Sequence, residues 1–205
     1  MDSSIRAGVA IYNAGKYHAA HDAWEEPWLG LDDGTDDERF LHGLIQFTAA
    51  VYHARTRNWS GATGLAESAG DYLAGLPSPY RGVDVDAARR ALSTLATDPE
   101  AIERRRPPPL RYEGAALALS DLRFEAAAVA ALVLAEEGGY DAAPVERAIT
   151  LAREEIAGGE RTLFTTVVME FVTADAARSL VYRRLVDHVA RRNREDADVE
   201  GLFED

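Results

Sequence analysis

The chain has 205 residues, of which 47% are hydrophobic, enough for a packed core and too many for a wholly disordered protein. Its formal net charge of −13 leaves no basic stripe that could displace phosphate counterions, so we expect no nucleic-acid partner. It contains no cysteine, which excludes disulfides and thiolate metal sites.

The apolar segments predict the cellular location. The longest uncharged apolar run, Ala126 to Ala135, is about half as long as a helix that crosses a bilayer. The first four residues, MDSS, lack the basic and apolar regions of a signal peptide. We therefore expect a cytoplasmic protein with no membrane partner.

The charged residues are mostly acidic, and the basic ones are almost all arginine. Acidic residues outnumber basic ones by 35 to 22, and Lys16 is the single lysine. An acidic surface with almost no lysine is typical of proteins in molar salt, where the Debye length falls to about 3 Å. We therefore predict a halophilic protein. The alternative is a GC-rich genome that encodes arginine in place of lysine, combined with ordinary acidity.

The first third of the chain has the hydrophobic period of helices. The predicted helices cover residues 5–13, 17–26, 38–57 and 60–76. Pro27 is expected to end or kink the second helix, and the acidic turn over residues 32–37 is suited to capping the third. Residues 1–76 are therefore predicted to form a four-helix domain.

The remainder is predicted to be a linker followed by a helical extension. Residues 77–120 have the pattern of a linker with short helices, and residues 110–119 that of a small β-hairpin. Residues 121–205 should form the extension, with helices over 121–137, 143–157, 161–172 and 175–194 and a frayed acidic C-terminus. The predicted fold class is all-α. Because isolated helices of this length are marginal in water, we expect the extension to pack on the first domain.

The second predicted helix carries the residues that suggest a site. At 100° per residue, His21, Trp24 and Trp28 fall on one stripe, with Glu25 at its edge. Glu26 lies about 100° away. A histidine and a carboxylate at positions i and i+4 are neighbours on a helix and can share a proton or a metal ion.

The third predicted helix has a matching polar stripe that includes His42, Gln46 and His53. The two histidines are about 16 Å apart along the helix axis, at 1.5 Å per residue. They cannot bind one ion, because bonds from imidazole to zinc are about 2.0–2.1 Å long. At most one end of this stripe can meet His21 and Glu25.

Residues 21–29 have the sequence HDAWEEPWL, in which a histidine and three residues precede Glu-Glu, one residue and Trp. Together with LHGLIQ at 41–46 and the segment 52–58, this motif resembles the domain of unknown function 309 family. The resemblance covers about residues 5–76 and implies an all-α domain with a functional site at the motif. Leu29 replaces the usual Arg, which removes a partner for the glutamates. His42 stands where Gln is common, so we expect no special catalytic role for His42.

Three interpretations fit the candidate pocket residues, which are His21, Trp24, Glu25, Glu26, Trp28, Gln46 and His53. The first is a buried hydrogen-bonded network that fixes helix packing. The second is a binding or interaction protein, whose tryptophans line a pocket for a small-molecule or protein partner. The third is a metal-dependent hydrolase, in which His21, Glu25 and His53 hold a divalent metal ion. We favour a non-enzymatic binding function, with the hydrolase as the alternative.

Overall fold

The structure is a computed structural model, and it describes residues 1–159 and 162–201. Within these residues it contains ten α-helices, two short 3-10 helices and no β-strand. The predicted all-α fold class is therefore confirmed. The chain divides into two compact units, Met1–Leu122 and Arg123–Asp205.

The helices of the first unit include the four that were predicted. They are α1 (Asp2–Asn13), α2 (Tyr17–Leu29), α3 (Asp36–Arg55), α4 (Trp59–Leu73), α5 (Val85–Thr97) and α6 (Ala101–Arg104). The central helix is α3, which packs against α2, α4, α5 and α6. Pro27 lies inside the last turn of α2, so that helix runs a few residues past its predicted end.

The start of α3 is determined by local hydrogen bonding. The hydroxyl of Thr35 accepts a hydrogen bond from the backbone N–H of Glu38 at 3.2 Å, which satisfies one donor of the first turn. That turn also carries three acidic residues, which interact favourably with the positive end of the helix dipole. The segment therefore caps α3, and it places Glu38 in the first turn of the helix.

Helices α1 and α2 approach each other closely where Trp24 meets Gly8. The Trp24 side chain is fully buried. A Cβ atom on Gly8 would lie only 2.2 Å from two atoms of the indole ring. The absence of a side chain at Gly8 therefore makes room for the ring between the two helices.

The segment predicted as a linker belongs to the first unit. The Asn13 side chain accepts a hydrogen bond from the Leu110 backbone N–H at 2.9 Å and donates to the Leu110 carbonyl at 3.0 Å. The Tyr12 hydroxyl donates to the Pro108 carbonyl at 3.1 Å. These contacts attach the proline-rich segment to α1.

The hairpin predicted at residues 110–119 is limited to its turn. Tyr112 and Ala115 exchange both backbone hydrogen bonds, at 2.8 and 3.0 Å, around Glu113 and Gly114. The positive φ angles of the two central residues, 49° and 81°, suit a tight hairpin turn. No strands continue from it in the described chain: the backbones of Arg111 and Glu113 bond to Asp84 and Gly82, and the Asn13 amide bonds to the carbonyls of Leu110 and Leu117.

The second unit is also helical. Its helices are α7 (Phe124–Glu137), α8 (Ala142–Ala157), α9 (Leu163–Thr173) and α10 (Arg178–Gly201). The last helix continues beyond its predicted end at Arg194, through part of the segment that was expected to fray. The predicted helix start at Arg161 and the final residues 202–205 lie outside the described residues. Within the described ranges, no helix combines the length and apolar character that crossing a bilayer demands.

Candidate functional site

A cavity of about 730 Å³ lies where the end of α2 meets α3 and α4. Its walls combine aromatic rings with charged and polar side chains. The residues that line it are Trp28, Asp33, Gly34, Glu38, Arg39, His42, Ser68, Asp71 and Tyr72. We call this cavity the α2–α4 pocket.

One wall of the α2–α4 pocket is a connected hydrogen-bonded array. The indole N–H of Trp28 donates to Oε1 of Glu38 at 2.9 Å. Nδ1 of His42 lies 3.3 Å from the same oxygen, and Nε2 of His42 lies 3.0 Å from Nε2 of Gln46. Because the three α3 residues are spaced four apart, they lie along one helix face. We call this set the Trp28–Gln46 array.

Glu38 is buried, yet its surroundings favour the charged carboxylate. The hydrogen bond from the Trp28 indole is the largest influence and lowers the pKa of Glu38. Burial acts in the opposite direction, but it is outweighed by the Trp28 hydrogen bond together with the smaller contributions of His42 and the Gly34 backbone. The pKa of Glu38 is therefore lowered overall, and the pocket contains a fixed negative charge at neutral pH.

The hydrogen bonds also indicate the proton position on His42. The Gln46 amide nitrogen can only donate, so Nε2 of His42 accepts from it. The proton of neutral His42 then lies on Nδ1 and is donated to Glu38. The imidazole ring itself is packed beside two aromatic rings, with centroid distances of 4.7 Å to Trp28 and 4.0 Å to Tyr72.

The two tryptophans of the sequence motif lie in different environments. Trp28 is half-buried and lines the α2–α4 pocket. Trp24 is fully buried in the core, and its indole N–H has no hydrogen-bond partner among the described residues. Only Trp28 is therefore in a position to contact a molecule in this pocket.

His21 and Glu25 belong to a second cluster on α2. Nε2 of His21 lies 3.9 Å from a Glu25 carboxylate oxygen, and Nδ1 lies 4.0 Å from a carboxylate oxygen of Asp22. Each of the three offers one ligand atom within 4.8 Å of the others, and they are the one such group in the described part of the chain. Glu25 and Glu26 are exposed, so this cluster lies at the surface.

His53 lies outside both groups. Its Nδ1 is 2.8 Å from the side-chain amide nitrogen of Asn58, close to the C-terminal end of α3. The predicted residues are therefore divided: His21 and Glu25 share the α2 cluster, and Trp28 and Gln46 share the array.

Sequence reasoning missed Glu38, Asp71 and Tyr72 as pocket residues. A signal for Glu38 is present, because it lies four residues before His42 on the same helix. The acidic run around it also has the pattern of a helix cap, a role that the first turn of α3 confirms. The two α4 residues have no local signal, since their role depends on how α4 packs against α3.

Residues 5–65 match DUF309, a domain of unknown function. The match confirms the resemblance inferred from the N-terminal motifs. All four residues of the Trp28–Gln46 array lie inside the DUF309 segment, and the pocket residues of α4 follow it. No curated protein matches the chain.

Proposed function

We propose that this chain is a non-enzymatic binding protein, whose α2–α4 pocket takes a small organic cation. The observation that supports it is the hydrogen bonding of His42. A general base must have a nitrogen within reach of the proton that it removes. Nδ1 of His42 is directed at Glu38 and Nε2 at Gln46, so neither nitrogen is open to a substrate. Trp28, Glu38 and His42 of the array form part of the pocket wall, with both nitrogens of the imidazole engaged by protein groups.

The chemistry of the pocket walls favours a positively charged ligand. Three carboxylates, from Asp33, Glu38 and Asp71, line the cavity against one guanidinium, from Arg39. That guanidinium is already hydrogen-bonded to the Ala74 carbonyl.

The aromatic rings of Trp28 and Tyr72 complete this environment. The faces of such rings attract cations, with an energy of about 0.5–2 kcal/mol. A quaternary or primary ammonium group would meet both kinds of attraction in this pocket.

Choline and its neutral carbon isostere, 3,3-dimethyl-1-butanol, test this proposal by titration calorimetry. The two molecules have similar shapes and differ in charge. We expect saturable binding of choline at one site per chain and much weaker binding of the isostere. The variant Tyr72→Leu should bind choline about fivefold more weakly, because it loses about 1 kcal/mol of cation–π attraction.

A matched control is available on α4. Glu67 is an exposed carboxylate on the same helix, outside the residues that line the pocket, so Glu67→Gln should leave choline binding unchanged. Equal affinities of the parent chain for choline and the isostere would reject a cation site in this pocket. An equal loss of choline affinity in Tyr72→Leu and Glu67→Gln would reject it as well.

The second candidate is a divalent metal ion at the α2 cluster, as in a metal-dependent hydrolase. The observation that favours it is the close approach of ligand atoms from His21, Asp22 and Glu25. One imidazole and two carboxylates suit zinc or manganese, and open coordination positions would let the ion activate a water molecule. The third predicted ligand, His53, lies outside this cluster and is hydrogen-bonded to Asn58.

Metal analysis of protein purified without a chelator or a histidine tag tests this candidate. A metal site at the α2 cluster predicts one divalent ion per chain and loss of that ion in His21→Ala. The ion should persist in His53→Asn, because His53 lies outside the cluster. Substoichiometric metal, with no thermal shift on adding zinc or manganese, would reject the hydrolase.

A further inference from the structure

A second cavity in the first unit lies between α5 and the segment that follows it. Its volume is about 350 Å³, within the range of small-molecule sites. We propose that this cavity, the α5 pocket, binds an organic carboxylate that carries an apolar tail. The proposal is independent of the cation site, since the two pockets have no lining residue in common.

The interior of the α5 pocket is apolar. Val51 of α3 and Leu95 of α5 contribute side chains that are almost completely buried. Ala91 and Ile102 add further hydrocarbon surface, and so does the ring of Pro107, a residue without a backbone N–H that would need a hydrogen-bond partner. Such a surface gains free energy by covering the hydrocarbon part of a ligand, at about 25 cal/mol per Å² of apolar area removed from water.

The α5 pocket is also lined by three arginines, Arg90, Arg105 and Arg106, all of which are exposed. Among the side chains that the structure describes, no carboxylate forms a salt bridge with any of the three. Their neighbours differ, because Arg104 pairs with Asp98 and Arg89 pairs with Asp86.

In a chain with a net charge of −13, three guanidinium groups around one cavity, with no carboxylate partner among the described side chains, form a local site for an anion. The planar guanidinium forms two parallel hydrogen bonds to a carboxylate, a geometry that lysine cannot provide. An apolar interior with a cationic rim is complementary to a molecule that has one anionic head and a hydrocarbon tail. A nucleic acid would need a longer basic stripe, which this chain lacks.

Titration calorimetry of the full chain with octanoate tests the inference. The salt concentration should be the lowest at which circular dichroism shows the folded protein, because salt screens an exposed ion pair. We expect one octanoate per chain, and an affinity that rises about fourfold for each methylene added between butanoate and octanoate. Octylammonium has the same tail and the opposite charge, so it should not bind this pocket, and any binding of octylammonium at the α2–α4 pocket should be unchanged by Ala91→Leu, because Ala91 lines only the α5 pocket.

Variants separate the head group from the tail. Arg90→Gln and Arg106→Gln should each weaken octanoate binding severalfold, whereas Arg183→Gln, an exposed arginine of α10, should not. Ala91→Leu should fill part of the cavity and weaken octanoate more than acetate. Circular dichroism of each variant confirms that it is folded.

Octanoate that fails to saturate would overturn the inference. Octylammonium binding that Ala91→Leu weakens as much as it weakens octanoate binding, or arginine variants that bind octanoate like the parent chain, would overturn it as well. The choline titration reports on the other pocket, so failure of either proposal can be distinguished from failure of the other.

Discussion

Replacing Gly8 with alanine is expected to lower the free energy of unfolding by about 1–3 kcal/mol. Alanine has a higher helix propensity than glycine, so propensity alone would make the variant more stable. The expected loss of stability therefore comes from packing. The new Cβ would lie 2.2 Å from two atoms of the Trp24 indole, which is far inside contact distance. Because Trp24 is fully buried, its ring cannot move aside into solvent.

The same substitution at Gly64 is the matched control. Gly64 lies inside α4, is exposed, and would place its Cβ more than 4 Å from any neighbouring group. Gly64→Ala should therefore raise the free energy of unfolding, by up to about 1 kcal/mol. Chemical denaturation at neutral pH measures both variants. Stabilisation by both would show that the α1–α2 contact is looser than the structure indicates.

A double variant adds a test of the mechanism. Trp24→Leu removes Nε1, Cε2 and Cζ2, the ring atoms that the Gly8 Cβ would meet. In the chain that carries this Trp24 substitution, Gly8→Ala should lower the free energy of unfolding by less than it does in the parent chain. The coupling energy between the two substitutions should be at least about 0.5 kcal/mol. Additive costs would mean that Gly8 acts through some contact other than Trp24.

Much of the DUF309 segment could be predicted because its signals are local. The apolar period of the first four helices lies within each helix, and the Thr35 cap is three residues from its partner Glu38. The position of residues 77–122 in the first unit depends on distant contacts. Asn13 holds the backbone of Leu110 across 97 residues of sequence, and neither residue has a local pattern that signals this pairing.

The candidate site was predictable only in part, for a related reason. The spacing of His42 and Gln46 placed them on one face of α3, and the structure shows them hydrogen-bonded. A helical wheel does not show how α2 is rotated relative to α3. It therefore could not show that Trp28 is hydrogen-bonded to Glu38 whereas Trp24 packs against Gly8 of α1.

Replacing Glu38 with glutamine is expected to lower the free energy of unfolding by about 1–3 kcal/mol at neutral pH. The buried carboxylate accepts hydrogen bonds from the Trp28 indole and from His42, and the Gly34 backbone further favours its charged form. Glutamine keeps the shape of the side chain but loses the charge, and its NH₂ group cannot accept. The exposed carboxylate of Glu67 provides the control, since Glu67→Gln should change stability by less than about 0.5 kcal/mol.

The dependence on pH distinguishes a lost charge from a simple loss of packing. The pKa of Glu38 is lower in the folded chain than the usual value of about 4.3 for an unfolded chain. Its charged form therefore stabilises the fold above about pH 4.3, and this contribution is lost as the pH falls through the folded-state pKa. The stability difference between the parent chain and Glu38→Gln should be constant near neutrality and shrink as the solution is acidified. Urea denaturation at a series of pH values measures it, and a difference that stays the same down to acid pH would show that the charge of Glu38 does not stabilise the array.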